Sequence, residues 1–328
     1  MVSASSKMNI GIRNSVKIIL TLCILLLFPY FEFAQPVIES NENNLSFELN
    51  NIGNLNLLEN HKPLLNPDES NYPGFYHVIT DVPMDFLDFG SSVFSKENIA
   101  PIVLLSIVTS GLIFYDHKSW EGTKKIVNHS NSLNSFTHTF VETGDAKWHL
   151  GLSGAALMFG YLTDDTRLQN TAFQTAEAVI ASGLFVQLLK RISGRESPAV
   201  YTRPGGYWDL FPDLGEYQHR QPEYYAFPSG HITSATAFLT VITENYSEVK
   251  WLKPISYGIL GLLGISLVAH DMHWYSDLPL GLAIGYSFGK IISRRYANEN
   301  ENVLRKKNIS IMPTVTNGVY AISVIYRF

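Results

Sequence analysis

Cysteine is nearly absent from this sequence, since the 328 residues contain one, Cys23. A disulfide framework and a cysteine-ligated zinc site are therefore excluded. Charge is scarce too: Asp, Glu, Lys and Arg make up 16% of the chain, and the formal net charge is −5. The longest basic cluster is Arg305, Lys306 and Lys307, so the composition excludes a nucleic-acid binder that acts through a positively charged surface.

Cys23 lies in an apolar run near the N-terminus, residues 16–30. Basic residues precede the run, and Phe33-Ala34-Gln35 follows it. This pattern predicts a secretory signal, residues 1–34, which is cleaved after Ala34 and delivers the chain to the periplasm or cell envelope. The run is shorter than the roughly 20 residues of a spanning helix, and an uncleaved anchor is the alternative.

Residues 35–82 are rich in asparagine and acidic side chains, with ten asparagines between positions 41 and 71. This composition predicts a polar, flexible leader. The leader carries most of the negative charge of the chain. The net charge therefore says little about any site in the body that follows.

From residue 83 onward the pattern is helical. Residues 83–94 place apolar positions beside acids, as a short amphipathic helix does. Apolar segments long enough for helices follow at about 100–115, 149–163, 171–190, 231–245, 254–270 and 277–292. We therefore predict an all-α fold, a helical bundle over residues 83–296 whose helices are buried on most faces.

The C-terminal residues, 297–328, have a different pattern. Residues 309–315 and 319–328 are typical of strands, and Asn317-Gly318 between them is a type I′ hairpin signal. Two strands cannot close a barrel. The sequence therefore predicts a basic linker followed by a short β-hairpin that packs on the bundle.

Three separated patches contain residue types that handle phosphate. The first runs from Lys190 to Pro198 (KRISGRESP), where an apolar helix ends in basic side chains, which the negative end of a helix dipole also favours. The second is Pro228-Ser229-Gly230-His231, directly before a helix. Ser229 can cap that helix, the free amides of its first turn can bind an anion, and His231 can donate a proton.

The third patch runs from His270 to Asp277 (HDMHWYSD). His273 and Asp277 are four residues apart, so on a helix they share a face, and the carboxylate can orient the imidazole and stabilise its cation. A histidine nucleophile needs such a partner. A metal site of His270, Asp271, His273 and Asp277 is the alternative, but no H-E-x-x-H helix supports it, and we predict no cofactor.

Taken in this order, the patches resemble the motifs of the type 2 phosphatidic acid phosphatase (PAP2) family, which shares its fold with vanadium haloperoxidases and bacterial class A acid phosphatases. The resemblance covers residues 149–292. The matching positions are Lys190 and Pro198 in the first motif, Pro228, Ser229, Gly230 and His231 in the second, and Ser266, His273 and Asp277 in the third.

The resemblance implies a metal-independent phosphatase that works through a phosphohistidine intermediate. His273 would attack phosphorus, Asp277 would orient it, and His231 would protonate the leaving oxygen. The groups that would hold the phosphate oxygens are Lys190, Ser229 and the Gly230 amide.

Two arginines of the family pattern are missing, because Ser197 and Leu267 stand in their places. Both arginines normally clamp the phosphate. Two uncompensated losses of this kind would cost about 3 to 6 kcal/mol, or roughly 10² to 10⁴ in rate. Arg195 lies two positions from the first lost arginine, so we expect Arg195 to bind the phosphate instead. The other candidates are Arg191, Arg203 and His270.

Residues 199–227, between the first two motifs, hold eight aromatic side chains. A loop this long predicts either a lid that suits an apolar or lipid-like leaving group, or a cover packed on the bundle. Two substrate classes stay open. One is a small phosphomonoester, and the other is a lipid phosphate, such as phosphatidic acid or an isoprenoid phosphate or diphosphate.

The lengths of the apolar segments bear on membrane insertion. Several are about 15 residues, which is short for a bilayer core of about 30 Å. If all of them spanned, the basic residues after the last helix would lie outside, against the positive-inside rule. The sequence therefore favours a periplasmic bundle that contacts a membrane surface over an integral membrane protein.

Two further functions stay open. A vanadate-dependent haloperoxidase would need the same two missing arginines to hold vanadate. A catalytically weakened envelope protein would keep the fold for binding or structure.

Overall fold

The computed structural model describes residues 77–300, 309–316 and 319–326, with the backbone alone for residues 297–300 and the last two segments. The predicted signal and all but the last six residues of the predicted leader lie outside the described residues, as do residues 301–308 of the basic linker.

The described part of the chain is a bundle of helices followed by a two-stranded hairpin. The helices are α1 (His77–Thr80), α2 (Val82–Val93), α3 (Ile99–Asn128), α4 (Asn131–Thr143), α5 (Ala146–Leu162), α6 (Thr166–Ser193), α7 (Leu214–His219), α8 (Gly230–Asn245), α9 (Leu252–Ala269) and α10 (Leu278–Asn300). The strands are β1 (Ile309–Thr316) and β2 (Val319–Tyr326). Short 3₁₀ turns lie at Lys96–Asn98, Gln221–Glu223 and Tyr275–Asp277.

The predicted all-α bundle is confirmed, and each predicted apolar segment forms a helix. Two of these helices are much longer than their apolar segments: α3 has 30 residues and α6 has 28. The predicted segments at about 100–115 and 171–190 are shorter than these helices, because each segment stops where polar residues appear. Helix formation continues through those residues, since one side of each helix still packs on the bundle.

Helix α4 was not predicted. Its sequence, NSLNSFTHTFVET, is mostly polar, and polar residues of this kind indicate a loop when read alone. The Ser130 side chain caps its first turn by accepting a hydrogen bond from the Leu133 amide. Phe140 and the backbone-bonded Thr137 and Thr143 form its buried side. Tertiary packing therefore overrides the weak propensity of the segment.

Local signals fix the helix ends, and those at the start of α8 and the end of α6 lie next to the future site. Asp165 caps α6 and Ser229 caps α8, each by accepting a hydrogen bond from an amide in the first turn. At the other end of α6, Gly194 adopts a left-handed conformation with φ of 49°. A Cβ at Gly194 would lie 1.9 Å from the Asp209 carbonyl oxygen, so only glycine allows the chain to turn there.

Helices α8 and α10 form the centre of the bundle. Every residue of α8 from Ile232 to Asn245 is buried. Helix α10 meets α8 through three glycines spaced four residues apart, Gly281, Gly285 and Gly289. A Cβ on any of them would lie within 3 Å of atoms of α8, so the small residues let the two backbones approach closely.

Three helices of the described chain are long and apolar enough to span a bilayer: Lys96–Asn128, Thr166–Ser193 and Leu252–Ala269. The most apolar part of the first has no buried residue. Its exposed side chains include Leu104, Ile107 and Phe114. An exposed apolar surface of this size on a long helix is that of a membrane-associated protein.

The predicted C-terminal hairpin is present. Strands β1 and β2 pair antiparallel, with Thr316 opposite Val319. Residues 317–318 lie outside the described chain. Packing of the hairpin on the bundle stays a prediction.

The α8–α10 contact predicts that Gly285→Ala destabilises the protein. The added Cβ would lie 2.3 Å from the Thr233 carbonyl oxygen and 2.8 Å from Thr236 Cβ, so the helices must separate. We expect a loss of about 1 to 3 kcal/mol in the free energy of unfolding, measured by circular dichroism in detergent. The matched control is Gly258→Ala on α9, where a Cβ meets no atom within 4 Å. Equal unfolding midpoints for the two variants would contradict the close contact.

Candidate active site

The three sequence patches meet at one end of the bundle. Lys190 lies in the last turn of α6, and its Nζ is 3.8 Å from the position of a Cβ on Gly230. His231, the second residue of α8, lies 5.9 Å from His273, ring centre to ring centre. The Ser229 amide donates to the Asp277 carbonyl at 3.0 Å. Residues up to 87 positions apart in sequence therefore surround one small volume.

His273 is fully buried, and its two ring nitrogens have different surroundings. Nδ1 lies 2.8 Å from the Ala226 carbonyl oxygen and 3.6 Å from a carboxylate oxygen of Asp277. A carbonyl oxygen can only accept, so Nδ1 carries the proton. Nε2 is buried and has no hydrogen-bond partner in the described part of the chain. The unprotonated nitrogen of the neutral ring is therefore Nε2, with its lone pair available for reaction.

Asp277 reaches His273 by a different route from the predicted one. The prediction placed both residues on one helix, whereas residues 270–274 form a loop and Asp277 ends a 3₁₀ turn before α10. One oxygen of Asp277 accepts from the Trp274 amide at 2.7 Å, and the same oxygen faces His273 Nδ1. A tight turn, not helical periodicity, therefore brings the pair together.

The N-terminus of α8 supplies an anion-binding end. Ser229 Oγ accepts from the Ile232 amide, and the Ser229 carbonyl accepts from the Thr233 amide. The amides of Gly230 and His231 precede these two in the first turn, where no helical partner exists. The Ser229 hydroxyl proton and these two amides can point to a phosphate oxygen.

Tyr225 holds Lys190 in place. Lys190 is 4% exposed, its Nζ donates to the Tyr225 carbonyl, and the same nitrogen lies 4.9 Å from the centre of the Tyr225 ring. The Tyr225 ring also lies 6.2 Å from that of His273. Sequence analysis placed Tyr225 among the loop aromatics only. Its position three residues before Pro228 of the second motif was the available signal for a role in the site.

Arg195 is placed differently from the expectation that it clamps the phosphate. It is fully buried, and its terminal nitrogens bind Asp277, Ser276, Asp116 and the Gly205 carbonyl. Its guanidinium lies over the Trp208 ring at 4.6 Å. Only Nε is without a partner in the described residues, so a phosphate contact through Arg195 would involve Nε alone.

The other replacement candidates lie elsewhere. Arg191 binds Gln187 and lies over the Tyr217 ring, and Arg203 is exposed beside Tyr207. His270 Nε2 pairs with the Thr137 hydroxyl at 2.9 Å, so its ring faces α4.

Neither position of the missing arginines carries a charge. Ser197 is fully buried behind Tyr225. Leu267 is fully buried in the apolar core that includes Trp120 and Trp274. Among the described residues next to Nε2, the positively charged side chain is therefore that of Lys190. The free amides at the start of α8 add to its positive potential.

The four side chains of the alternative metal hypothesis do not converge. His270 contacts Thr137, and Asp271 binds both Trp120 Nε1 and Lys124 Nζ, at 2.7 and 2.6 Å. Asp277 is occupied by Arg195 and the Trp274 amide.

A cavity of about 390 Å³ opens next to His231. The lining residues are His138, Val141, Glu142, Asp145, His231, His270 and Met272. The cavity lies beside the general-acid candidate, where a leaving group would depart. The aromatic loop contributes Tyr225 to the site, while Tyr201 packs on Trp120 and Trp274.

Burial controls the charge of the histidines. Burial, the neighbouring His273 and Lys190 together hold the pKa of His231 well below its usual range. Burial also lowers the pKa of His273, although Asp277 opposes the shift. Behind the site, burial lowers the pKa of His149 to about 4. The lowered pKa of each ring favours its neutral form at pH 7.

Comparison with known proteins gives a match over the region that holds these residues. Residues 171–301 match the model of the PAP2 superfamily. This segment contains the three patches, from Lys190 to Asp277. The segment that holds the site is therefore similar to the PAP2 superfamily, as the motifs predicted.

Two known proteins resemble parts of the chain. A lipid A 1-phosphatase of Porphyromonas gingivalis is 33% identical over 67 residues, 20% of this chain. A lipid A 1-phosphatase of Rhizobium etli is 29% identical over 171 residues, 47% of this chain. The matches cover 15% and 67% of those two proteins.

A solved structure also matches. It is a transmembrane PAP2-type phosphatidylglycerolphosphate phosphatase of Bacillus subtilis, with 16% identity and a TM-score of 0.39. The match covers 70% of this chain and 99% of that one.

The buried His149 predicts a stability that depends on pH. Its pKa falls from 6.5 to about 4 on folding, so below pH 6.5 the unfolded chain binds a proton that the folded chain does not. Stability is complete above pH 6.5 and falls by up to about 3 kcal/mol toward pH 4. His149→Leu should remove this part of the pH dependence, measured by denaturant unfolding at both pH values. His219→Leu, at an exposed ring, should leave it in place; the same slope in His149→Leu would refute the assignment.

Proposed function

We propose that this chain is a phosphatase that cleaves a lipid phosphomonoester, with His273 as the nucleophile. The observation that carries the proposal is the buried Nε2 of His273, whose lone pair is left available because Nδ1–H is directed to the Ala226 carbonyl. Nε2 belongs to the ring that lies beside the first turn of α8. The PAP2 match and the two lipid A 1-phosphatases support the reaction class.

The first step forms a phosphohistidine. The Nε2 lone pair of His273 attacks phosphorus, and the bond from phosphorus to the leaving oxygen breaks. His231 gives its proton to that oxygen as an alcohol departs. The ring of His273 becomes cationic, and Asp277 stabilises the charge through Nδ1–H.

His231 must be protonated for this step, although it is neutral in the empty site. A bound phosphate dianion raises the pKa of a neighbouring imidazole, because it stabilises the positive form. Substrate binding therefore supplies the proton donor. In the second step neutral His231 takes a proton from water as the water oxygen attacks phosphorus, which releases inorganic phosphate and restores His273.

Lys190, the Ser229 hydroxyl and the amides of Gly230 and His231 hold the phosphate oxygens in this proposal. Lysine fixed by Tyr225 and amides fixed by the helix need little reorganisation as charge develops. This set replaces part of the clamp that arginines at positions 197 and 267 would form. We expect a slower enzyme than one with both arginines, by roughly 10² to 10⁴ if nothing else compensates.

A lipid substrate follows from the surroundings of the site. The bundle exposes apolar side chains along α3, and three of its described helices can span a bilayer. We infer that the bundle is inserted in a membrane with the site near one membrane surface. A phosphate carried by a lipid headgroup would then lie at the level of the helix ends that form the site.

Replacement of His273 tests the mechanism. The full chain in mixed micelles should release phosphate from phosphatidic acid or from lipid A, and His273→Ala should reduce kcat by at least about 1,000-fold. His231→Asn should reduce it by roughly 10² to 10⁴. Labelled substrate should leave an acid-labile, alkali-stable phosphoryl group on wild type, which His273→Ala lacks.

The control for these variants is His129→Ala. His129 is exposed and is not one of the site residues, so this variant should keep wild-type rates. If wild type and His273→Ala release phosphate equally slowly from both lipids and from an aryl phosphate, the phosphatase proposal is wrong. The fold would then serve binding or structure.

Membrane insertion predicts that the exposed side of α3 tolerates no charge. Leu104 and Ile107 are 50% and 63% exposed in the bundle, so the double variant Leu104→Asp/Ile107→Asp loses little internal packing but places two carboxylates in lipid. We expect less protein in the carbonate-resistant membrane fraction. Glu121→Lys, at an exposed polar position later on α3, should behave as wild type. Wild type that is fully released by carbonate would contradict insertion.

A further inference from the structure

One face of α3 contacts the loop that carries His273. Four residues of this helix, spaced four, three and one apart, lie on that face: Asp116, Trp120, Thr123 and Lys124. Trp120 and Lys124 bind Asp271, and the Thr123 hydroxyl lies 2.8 Å from that of Tyr275. Helix α3 precedes the PAP2 match at residues 171–301, so the site depends on a part of the chain outside the matched segment.

Asp116 makes the deepest of these contacts. One carboxylate oxygen accepts from the Ser276 amide at 3.0 Å. The other accepts from the Ser276 hydroxyl and from Arg195, the latter at 2.7 Å. Arg195 in turn donates to Asp277, which faces His273 Nδ1. A continuous chain of contacts therefore leads from α3 to the imidazole.

All members of this chain of contacts are fully buried: Asp116, Arg195, Ser276, Asp277 and His273 are each 0% exposed. In so buried a place each charge needs a partner, since an unpaired buried ion costs several kcal/mol. Arg195 lies between the two carboxylates, so neither carboxylate can move without leaving its own charge or that of Arg195 unpaired.

We propose that Asp116 is a positioning residue of the active site, which fixes Arg195 and Ser276 and so holds Asp277 against His273. The role rests on the proposed phosphatase function, because it matters for catalysis only if His273 reacts. Asp116 itself does not touch the substrate.

The charges of the cluster decide how Asp116 acts. Two carboxylates and one guanidinium leave one net negative charge behind Nδ1, which stabilises the cationic ring formed when Nε2 bonds to phosphorus. Asp116→Asn leaves a neutral cluster, with Arg195 free to pair fully with Asp277. The imidazolium then loses part of its stabilisation, and the transition state that leads to it rises in free energy.

The other charged and titratable groups around His273 must be held constant for this test. They are Lys190 on α6, Tyr225 in the aromatic loop and His231 on α8. None of them contacts Asp116, so a substitution at Asp116 changes the field at His273 through Arg195, Ser276 and Asp277.

The test is the pH dependence of kcat/KM and the titration of His273 followed by NMR in the full chain labelled at histidine carbons. The His273 signal is assigned by its loss in His273→Ala. In Asp116→Asn we expect kcat to fall about 10- to 100-fold with KM nearly unchanged. The pKa of His273 should fall by about half a unit or more, which shifts the acid limb of kcat/KM to lower pH.

A charge-matched variant makes the test specific. Asp116→Asn with Arg195→Gln removes one charge of each sign and restores a single negative charge behind His273, so the pKa of His273 should return to or above its wild-type value. Asp116→Asn alone leaves Arg195 paired with Asp277, and the double variant leaves Asp277 with the Trp274 amide as its donor, so each variant keeps a partner for the buried carboxylate. An unchanged pKa in Asp116→Asn, or one that stays low in the double variant, would overturn the proposal.

Asp85→Asn is the matched control, because Asp85 is a fully buried carboxylate paired with Arg295. It should lower stability without moving the pKa of His273.

The two proposals can fail separately. If wild type hydrolyses no phosphate but the pKa of His273 falls in Asp116→Asn and returns in the double variant, the phosphatase function is wrong and the positioning contact stands. If wild type is active and the pKa does not respond, only the role of Asp116 is wrong.

Discussion

The buried guanidinium of Arg195 is the interaction on which the site depends. It joins three parts of the chain: Asp116 on α3, the loop after α6 to which Arg195 belongs, and Asp277 at the start of α10. Buried ion clusters contribute little net stability, but removal of one member leaves a charge without a partner. The cluster therefore specifies one arrangement of these elements, and it fixes the carboxylate that the His273 ring needs.

Close helix packing brings the remaining groups within reach. Glycines on α10 allow its backbone to contact α8, so the residues that precede the two helices, Asp277 and Ser229, meet through a backbone hydrogen bond. The positive end of α8 then faces His273. The same contacts bury His231 and His273, and burial keeps both rings neutral until an anion binds. The close packing of α8 and α10 therefore determines both the positions of these groups and the pKa of the two histidines.

The chain departs from the PAP2 pattern in a consistent way. Where the pattern has arginine, Ser197 lies behind Tyr225 and Leu267 lies in the apolar core. The positive charge at the site is therefore reduced to Lys190 and helix amides, while Arg195 is committed to carboxylates. His231, His273 and Asp277, the three residues to which the resemblance assigns acid-base roles, are all present and lie close together.

The sequence by itself determined the helical class and the positions of most helices, because periodicity and capping signals are local, and its resemblance to the PAP2 motifs implied that Lys190, His231 and His273 lie in one site. It could not determine that α3 supplies Asp116, since no local pattern tells which partner a buried acid finds. Likewise the spacing of His273 and Asp277 indicated a helix, whereas a tight turn brings the two side chains together. Only the tertiary structure decided these contacts, because buried charges select their partners through the packing of helices distant in sequence.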